Sequence, residues 1–434
     1  MANKKVLIIT YYWPPAGGIP VQRWLKFAKY LREYQWDPII YTVSNGDYLK
    51  DDSLLSEVPE GIEVIHRPIL EPYRLYWLIA SAKKKNRYGR VEMKPDQKAT
   101  YFQKIALWLR GNVFIPDARR FWIGPSFRFL KKYLKTTKVD AIISTGPPHS
   151  MHIIGMKLFK ELGIPWIADF RDPWTSMDYY QDLKLTGWAD RKHRWLEQEV
   201  IRTASKVTVV GNAMKEEFEA KGSKQVVVLH NGFDENDFKL SAPVLLDKKF
   251  SIVHVGSFFL RRNPIALWEA LSKLNEENHP MMDDLEIKLV GNVNESILGS
   301  INHFGLNNYL NLVAQKPYKE VLTDIHAAQL LLLPIDNFAG AKWVITGKVF
   351  EYLAVKRPIL CIAPTDGDAA FVINSTESGK IFGFTDVNGI KKQLIQWYEE
   401  FRIGKLNVNS KGIELYSRKG LTRELVAILN NLSA

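Results

Sequence analysis

The sequence predicts two successive α/β domains, each with a parallel sheet that is covered by helices on both faces. Short apolar runs rich in β-branched residues alternate with longer helical patterns along the chain of 434 residues. This alternation starts at KKVLIIT and starts again at FSIVHVG, after a linker-like stretch at about 233–249. We therefore predict a first domain over 1–235, a second domain over 236–410, and a helix within 411–434 that packs back toward the first domain.

The first domain begins with the strand KKVLIIT, which the prolines and glycines of YYWPPAGG terminate. The helix that follows, IPVQRWLKFAKYLREY, has an apolar stripe formed by Val21, Trp24, Leu25, Ala28 and Leu31. Strands and helices then alternate through DPIIYTVS, VDAIIST, HSMHIIGMKLFKEL, IPWIADF, TGWADRKHRWLEQEVIRTA, SKVTVVG, AMKEEFEAKG and KQVVVLHNG.

The second domain repeats this architecture without repeating the sequence. Its first strand, FSIVHVG, precedes the helix NPIALWEALSKLNEEN, which has a proline near its start. The remaining predicted elements are LEIKLVG, YLNLVAQ, YKEVLTDIHAA, QLLLLPI, TGKVFEYLAVKR, PILCIAP and the helical stretches after it. Ligands of such sheets bind at the carboxyl ends of the strands, so the loops there are the places to search for a site.

Composition excludes several classes of protein. The chain is 46% hydrophobic and 24% charged, as expected of a globular protein, and its single cysteine, Cys361, excludes a disulfide framework. No apolar run approaches the ~18 residues that a membrane span needs. The first residues, MANKKVLIIT, indicate a strand and not a signal peptide, so we expect a cytoplasmic protein.

Positive charge is concentrated in residues 67–138, which contain 18 Lys/Arg and four Asp/Glu. The net charge of the whole chain is +12, so the remainder is close to neutral. Because aromatic residues are interleaved with these cations, the segment suits an anionic membrane surface or a lipid-linked substrate. A solvated insertion without a partner is the alternative, and nucleic acid is the least favoured partner. The segment therefore predicts a peripheral location on the inner face of the membrane.

Glycines follow the first predicted strand. Gly17 and Gly18 precede a helix, where a phosphate can approach the backbone and the helix N-terminus. The third glycine of the dinucleotide fingerprint is missing, and the second strand ends in YTVSN without an acid for a ribose. An NAD enzyme is therefore not expected, and a purely structural turn explains the two glycines equally well.

Three polar residues follow later strands of the first domain. His149, in STGPPHSMH, is placed either to hydrogen-bond a substrate hydroxyl or to cap the next helix. Asp169 and Arg171, in ADFRDPW, either form a structural ion pair or place charges near an acceptor hydroxyl. The residues alone leave both alternatives open, and His149, Asp169 and Arg171 are our candidate catalytic residues.

The second domain offers a clearer pattern. Arg261 and Arg262 follow the strand FSIVHVG, and arginine binds phosphate oxygens well. In TGKVFEYL, the Thr346–Gly347 turn begins a helix on which Lys348 and Glu351 lie on one face. We predict that Lys348 and the helix N-terminus bind phosphate and that Glu351 binds ribose hydroxyls; an ordinary ion pair on a helix surface is the alternative.

The chain resembles the GT-B glycosyltransferases of family 4, notably those that modify surface polysaccharides or lipid-linked sugars. The resemblance rests on PPAGG, STGPPHSMH with ADFRDPW, HNGFD, VGSFFLRRNP and TGKVFEYLAVKRPIL, and it extends over nearly the whole chain. It implies two Rossmann-like domains that face each other across a cleft. It also implies retaining transfer of a sugar from a nucleoside diphosphate sugar to a lipid-linked or saccharide acceptor, without a cofactor or a metal.

The resemblance also implies roles for individual residues. Gly17 and Gly18 would line the site near the diphosphate, and His149 would lie near the transferred sugar. In the donor domain, the residues that bind the nucleotide sugar would be Ser257, Arg261, Arg262, Thr346, Gly347, Lys348 and Glu351. The DGD string at 366–368 is interpreted as a helix start and not as a metal site.

Two positions depart from the family pattern. Trp343 stands where the first glutamate of the family's pair belongs, and Ser257 stands where many members have an arginine. A nucleotide-sugar 2-epimerase of the same fold, or a member that binds nucleotide sugars without turnover, is therefore the alternative. The basic segment 67–138 favours a transferase, because an epimerase needs no acceptor.

Overall fold

The computed structural model describes residues 3–71, 101–239, 243–338 and 340–432. The chain divides into two compact units: the first unit comprises Met1–His230 and Arg418–Ala434, and the second comprises Asn231–Ser417. Each unit contains one parallel sheet with helices, which confirms the predicted fold class. Of the basic segment 67–138, residues 72–100 lie outside the described residues.

The sheet of the first unit has seven parallel strands in the order β3-β2-β1-β4-β5-β6-β7. The central strands are almost wholly buried, as expected of strands covered on both faces. The strands are β1 Lys4–Ile9, β2 Trp36–Val43, β3 Glu63–Arg67, β4 Ala141–Gly146, β5 Trp166–Phe170, β6 Lys206–Val209 and β7 Val226–Val228.

Helices of the first unit connect these strands. They are α1 Ile19–Leu31, α2 Tyr101–Asn112, α3 Arg120–Tyr133, α4 Ser150–Leu162, α5 Gly187–Thr203 and α6 Asn212–Ala220. The predicted stripe on α1 is buried: Val21, Leu25, Ala28 and Leu31 are inaccessible and Trp24 nearly so. None of the helices in the described ranges is both long and apolar enough to cross a bilayer.

The sheet of the second unit has six parallel strands in the order β10-β9-β8-β11-β12-β13. Its strands are β8 Phe250–Val255, β9 Leu285–Val290, β10 Leu310–Val313, β11 Leu330–Pro334, β12 Ile359–Ile362 and β13 Gly379–Phe382. Its helices are α7 Ile265–Glu276, α8 Met281–Asp284, α9 Glu295–His303, α10 Tyr318–Ala327, α11 Gly347–Val355, α12 Asp368–Ser375 and α13 Val387–Arg402.

The chain returns to the first unit through its last described helix, α14 Arg418–Asn430. Leu421, Leu425 and Leu429 of this helix belong to the same buried cluster as Val21 and Trp24 of α1. The two ends of the second unit also meet, because the Phe233 amide donates to the Tyr416 carbonyl at 3.1 Å. The second unit is thus inserted between the two chain segments that form the first.

Strand order determines where each unit can bind a ligand. In both sheets the order reverses once, between β1 and β4 in the first unit and between β8 and β11 in the second. The loops that follow such a pair of strands run to opposite faces of the sheet, which leaves a crevice at the carboxyl edge. The residues predicted from the sequence follow strands at or beside these two positions.

Candidate functional site

In the second unit, the loops after β8 and β11 are bonded to each other. The Asn337 amide donates to the Arg261 carbonyl at 2.8 Å. Arg262 donates from Nε and Nη2 to Asp336 Oδ2, at 3.1 and 2.8 Å. Both side chains of this ion pair are about one-sixth exposed, at 16% and 17%. The ion pair therefore fixes the Arg262 guanidinium at the crevice while leaving part of it open to solvent.

The N-terminus of α11 begins at Thr346 and Gly347. Thr346 occupies the capping position, yet its hydroxyl forms no cap, and Oγ1 is buried without a hydrogen-bond partner among the described residues. The first backbone N–H groups of a helix have no partner within the helix and favour an anion. This end of α11 therefore offers donors to a negatively charged group.

Lys348 extends from α11 to the end of β8. Its Nζ lies 3.2 Å from Nε2 of the buried His254, whose Nδ1 lies 3.1 Å from the Leu332 carbonyl. A carbonyl only accepts, so Nδ1 carries the proton, and Nε2 accepts from Lys348. Gly256, with φ +89°, leaves room for this path, since a Cβ there would lie 3.2 Å from Lys348 Cε.

The environment of Lys348 disfavours its charged form. Burial lowers the pKa of Lys348 to about 7, and the nearby Arg262 guanidinium acts in the same direction. Burial, followed by the charge of Lys348, also holds the pKa of His254 well below its ordinary value. The pair is therefore a neutral imidazole beside an amine that is only partly protonated near neutral pH.

Glu351 has a different partner, although it lies on the same face of α11 as Lys348. The Tyr318 hydroxyl on α10 lies 3.5 Å from Glu351 Oε1, which is a long hydrogen bond. Burial raises the pKa of Glu351 above its ordinary value. Tyr318 as a whole residue is 49% exposed. Glu351 is therefore a carboxylate with acceptor capacity left for a ligand hydroxyl.

In the first unit, His149 lies at the carboxyl end of β4 and is 5% exposed. Its ring stacks on Trp174 at 4.6 Å, and neither ring nitrogen has a hydrogen-bond partner among the described residues. Burial holds the pKa of His149 well below its ordinary value, so the ring is neutral. It does not cap α4, because Asp117 accepts from the Ser150 amide and hydroxyl at 2.8 and 2.9 Å.

Asp169 is fully buried, and its carboxylate accepts hydrogen bonds from several side chains. Of the two alternatives that the sequence left open, this is the structural one. Arg23 donates to it from Nη2 and Nε at 2.8 and 3.2 Å. The other donors are Trp24 Nε1, Thr145 Oγ1 and Thr208 Oγ1. Burial alone would raise the pKa of Asp169, but Arg23 and the hydroxyl donors hold it below its ordinary value. Asp169 therefore joins α1 to β4, β5 and β6 and is unsuited to contact a substrate.

Arg171 and the two early glycines organise loops of the first unit. Arg171 donates to the carbonyls of Gly146 and Pro20, at 3.3 and 3.0 Å, and to that of Pro147. A Cβ at Gly17 would lie 2.9 Å from Asp51 Cβ, and Gly18 begins α1 with φ +87°. Packing and backbone conformation thus account for both glycines, and their predicted approach to a phosphate stays a prediction.

Comparison with known proteins supports the fold. The family model described as Glycosyltransferase Family 4 matches residues 92–237. Sucrose-phosphate synthase from Thermosynechococcus elongatus is 12% identical over 99% of both chains, with a TM-score of 0.60. HepE from Anabaena, solved with UDP-glucose, is 13% identical over 99% of this chain and 100% of its own, with a TM-score of 0.59. The chain has the GT-B fold.

Other matches limit what the GT-B fold implies. A UDP-N-acetylglucosamine 2-epimerase is 12% identical over 99% of this chain and 96% of its own, with a TM-score of 0.55. Comparison with curated protein sequences gives no match. At such identities the likeness establishes the architecture and leaves the reaction to be argued from the site.

The residues predicted for the donor site belong to the second unit of this GT-B chain, except Gly17 and Gly18, which belong to the first. Arg261, Arg262 and Ser257 follow β8, while Thr346, Gly347, Lys348 and Glu351 belong to α11 and its start. Trp343 lies in the short helical turn before α11, where its ring contacts Phe338 at 5.9 Å between centroids. The first-unit residues Gly17, Gly18, His149 and Arg171 lie in loops after β1, β4 and β5.

Three residues of the site were missed in the sequence. They are His254, Asp336 and Tyr318, which contact Lys348, Arg262 and Glu351 respectively. His254 is a polar residue inside the apolar run FSIVHVG, and Asp336 directly follows LLLLPI. A polar residue in or just after a buried strand was the available signal for both. Tyr318 gave no signal, because tyrosine is common on helix surfaces.

Proposed function

We propose that this protein is a glycosyltransferase that transfers a sugar, with retention, from a nucleoside diphosphate sugar to an acceptor hydroxyl. The acceptor belongs to cell-surface polysaccharide or glycolipid synthesis. The observation that carries this proposal is the assembly of Arg262, Lys348 and Glu351 at the carboxyl edge of one sheet. Retention, the acceptor class and the absence of a cofactor or metal rest on the family resemblance.

The chemistry of the proposed site follows from these side chains. The bond between the anomeric carbon and the diphosphate oxygen breaks, a bond to the acceptor oxygen forms, and the acceptor proton is released. The leaving diphosphate gains negative charge, which Arg262, Lys348 and the N-terminus of α11 are suited to stabilise. Glu351 accepts hydrogen bonds from the ribose hydroxyls. We assign His149 to the transferred sugar, where a neutral imidazole can hydrogen-bond a hydroxyl.

A thermal-shift panel of UDP, GDP, TDP and NAD tests the donor site. A nucleoside diphosphate that binds the folded state will raise the melting temperature, and NAD will not. The diphosphate sugars of the active base are then incubated with candidate acceptors, and release of the nucleoside diphosphate is measured. If none of the three diphosphates shifts the melting temperature, the proposal is wrong.

The epimerase alternative is tested in the same material. UDP-N-acetylglucosamine incubated without an acceptor would change configuration at C2 if the protein were an epimerase, and carbohydrate NMR detects that change. We expect no change. If a nucleoside diphosphate binds but neither epimerisation nor transfer to any acceptor occurs, the protein binds nucleotide sugars without turnover.

We also propose that the protein acts as a peripheral protein on an anionic membrane, from the cytoplasmic side. The basic segment 67–138 supports this, and so does a tryptophan face that lies outside it. Trp188 and Trp195 are seven residues apart on α5, hence on one side of the helix, and are 61% and 49% exposed. Lys192 Nζ lies 3.9 Å from the centroid of Trp195. Tryptophans beside cations suit the headgroup region.

Helix α2, in the described part of the basic segment, is bonded to α5. The Gly111 carbonyl accepts from His193 Nε2 at 3.0 Å, and Asn112 Oδ1 accepts from the Thr186 amide at 2.7 Å. Trp108, one turn earlier on α2, is 43% exposed. Helices α2 and α5 thus present exposed tryptophans from elements that contact each other.

Vesicle flotation tests this attachment. We expect wild type to float with vesicles of phosphatidylglycerol and phosphatidylcholine at low salt and to remain unbound with phosphatidylcholine alone. The variant with Trp188→Ala and Trp195→Ala should lose most of this binding. Phe371→Ala is the matched control, because Phe371 is an exposed aromatic residue of the second unit. Equal flotation of the double variant and wild type would exclude α5 as a contact.

A further inference from the structure

We propose that His254 is a positioning residue for the proposed diphosphate site: its Nε2 holds the Lys348 amine at the end of β8 and makes nucleotide binding depend on the protonation of that amine. This inference rests on the proposed function. His254 itself is buried beneath Lys348, and its ring packs against Phe258 in a tilted arrangement, with 4.2 Å between ring centroids. It is therefore placed to act through Lys348 and not by contact with a ligand.

The Leu332 carbonyl favours one tautomer of the imidazole, with the proton on Nδ1. Because Nδ1–H donates to the Leu332 carbonyl, Nε2 is available only as an acceptor, and it faces Lys348 Nζ at 3.2 Å. An ammonium group donates and a neutral imidazole nitrogen accepts, so this contact favours the protonated lysine. His254 thus opposes the effect of burial, which favours the neutral amine.

The charged and titratable groups around Lys348 come from each element packed against it: His254 on β8, Arg262 after β8, Asp336 after β11 and Glu351 on α11. Burial and the Arg262 charge lower the pKa of Lys348, whereas Glu351 and Asp336 raise it. A bound diphosphate would add negative charge to this set. Binding should therefore be accompanied by proton uptake at Lys348.

The sign of the pH dependence follows from linkage. The ligand-free amine has a pKa of about 7, and the bound amine has a higher one. Affinity is greatest where the ligand-free amine is already protonated, and it decreases as the pH rises through about 7. For a single proton with this pKa, affinity should fall about tenfold between pH 6 and pH 8.

Calorimetry tests the inference with whichever of UDP, GDP or TDP raises the melting temperature. Titrations in two buffers of different ionisation enthalpy give the number of protons taken up, and a pH series gives the affinity profile. Lys348→Arg, which stays protonated, measures the titration of the ligand's own phosphate. Near pH 7.5, we expect wild type to take up more protons on binding than Lys348→Arg does. We also expect the affinity of wild type to decrease more steeply as the pH rises.

Variants of His254 separate positioning from a merely structural role. His254→Leu removes the acceptor, so the midpoint of the affinity profile should move to lower pH. His254→Gln carries an acceptor oxygen at about the reach of Nε2 and should restore the midpoint near 7. His326→Gln is the control, because His326 also bonds a carbonyl of the second unit, that of Leu322 at 2.8 Å.

The outcomes distinguish this inference from the proposed function. Absence of binding by all three diphosphates would overturn both. Binding with equal proton uptake in wild type and Lys348→Arg would overturn the inference and leave the function standing. An unchanged midpoint in His254→Leu would show that His254 only fills space.

Discussion

Arg262 and Asp336, 74 residues apart in the sequence, form a largely buried ion pair through two guanidinium nitrogens and a single carboxylate oxygen. The pairing leaves Nη1 of Arg262 outside both hydrogen bonds. An arginine fixed in this way loses little side-chain entropy when it binds an anion. The ion pair thus orients Arg262, which we propose binds the diphosphate, before the nucleotide binds.

The first prediction compares the two arginines of the loop after β8. Arg262→Ala should weaken nucleoside diphosphate binding by about 1.5–3 kcal/mol, the usual range for a hydrogen bond to a charged group. Arg261→Ala should have a much smaller effect, since Arg261 is exposed and contributes its carbonyl to the loop contact. Calorimetric affinities of both variants give the comparison. Equal losses would mean that only the overall positive charge matters.

The second prediction concerns Glu351 and separates stability from binding. Glu351→Gln should abolish most of the thermal shift by nucleoside diphosphates, because an amide replaces one acceptor oxygen by a donor. The same change should raise the melting temperature of the ligand-free protein. The folded-state pKa of Glu351 is above its unfolded-state value. The free energy of unfolding therefore decreases as the pH rises from the unfolded-state pKa to the folded-state pKa. Gln removes this unfavourable ionisation.

The stability effect of Glu351→Gln has an internal check. Its gain in melting temperature over wild type should disappear in acid, where Glu351 is protonated in the folded protein. Glu320→Gln, on neighbouring α10, serves as the control and should change neither property. A ligand-free variant that melts below wild type at neutral pH would contradict the assigned cause.

The third prediction tests the structural role of Asp169. Asp169→Asn leaves the Arg23 charge buried without its counterion, and breaking such a pair costs about 3–5 kcal/mol. Asp190→Asn breaks an exposed pair with Arg194 and should cost under about 1 kcal/mol. Urea unfolding of both variants measures the difference. Because the folded-state pKa of Asp169 is depressed, this contribution is lost as the pH falls below its ordinary value of 3.8.

The fourth prediction concerns His149. His149→Ala should leave the diphosphate thermal shift unchanged, because His149 belongs to the first unit and the diphosphate ligands to the second. Sugar transfer should fall by roughly 10²-fold or more, as expected on removal of a group that acts on the reacting sugar. Steady-state rates and melting curves on the same samples check this. Full activity in a folded variant would assign His149 to packing against Trp174.

The architecture was predictable because it depends on local patterns. Buried parallel strands are short apolar runs, and the helices between them have one apolar stripe, so both can be recognised in single segments. The position of Arg262 and of TGKVFEYL after such strands then predicted the edge of the sheet at which they lie. Both predictions required only the order of the elements.

The partners of these residues were not predictable, because they come from distant segments. Asp336 contacts Arg262, and Tyr318 contacts Glu351, across separations that no local pattern encodes. Asp169 shows a second limit. Every residue of β5 is buried, so alternation cannot tell whether an acid at its end points into the protein or toward a ligand. Only the donors around the carboxylate decide this.

Because helix α14 belongs to the first unit, the folding of that unit depends on the order in which the chain is synthesised. Leu421, Leu425 and Leu429 complete a core that also contains residues of α1, so the ribosome must produce the whole second unit before that core can close. Until then, Val21 and Trp24 lack part of their apolar cover. The second unit has both of its ends joined and can fold earlier. During translation, the unit that begins the chain is therefore the one that is completed last.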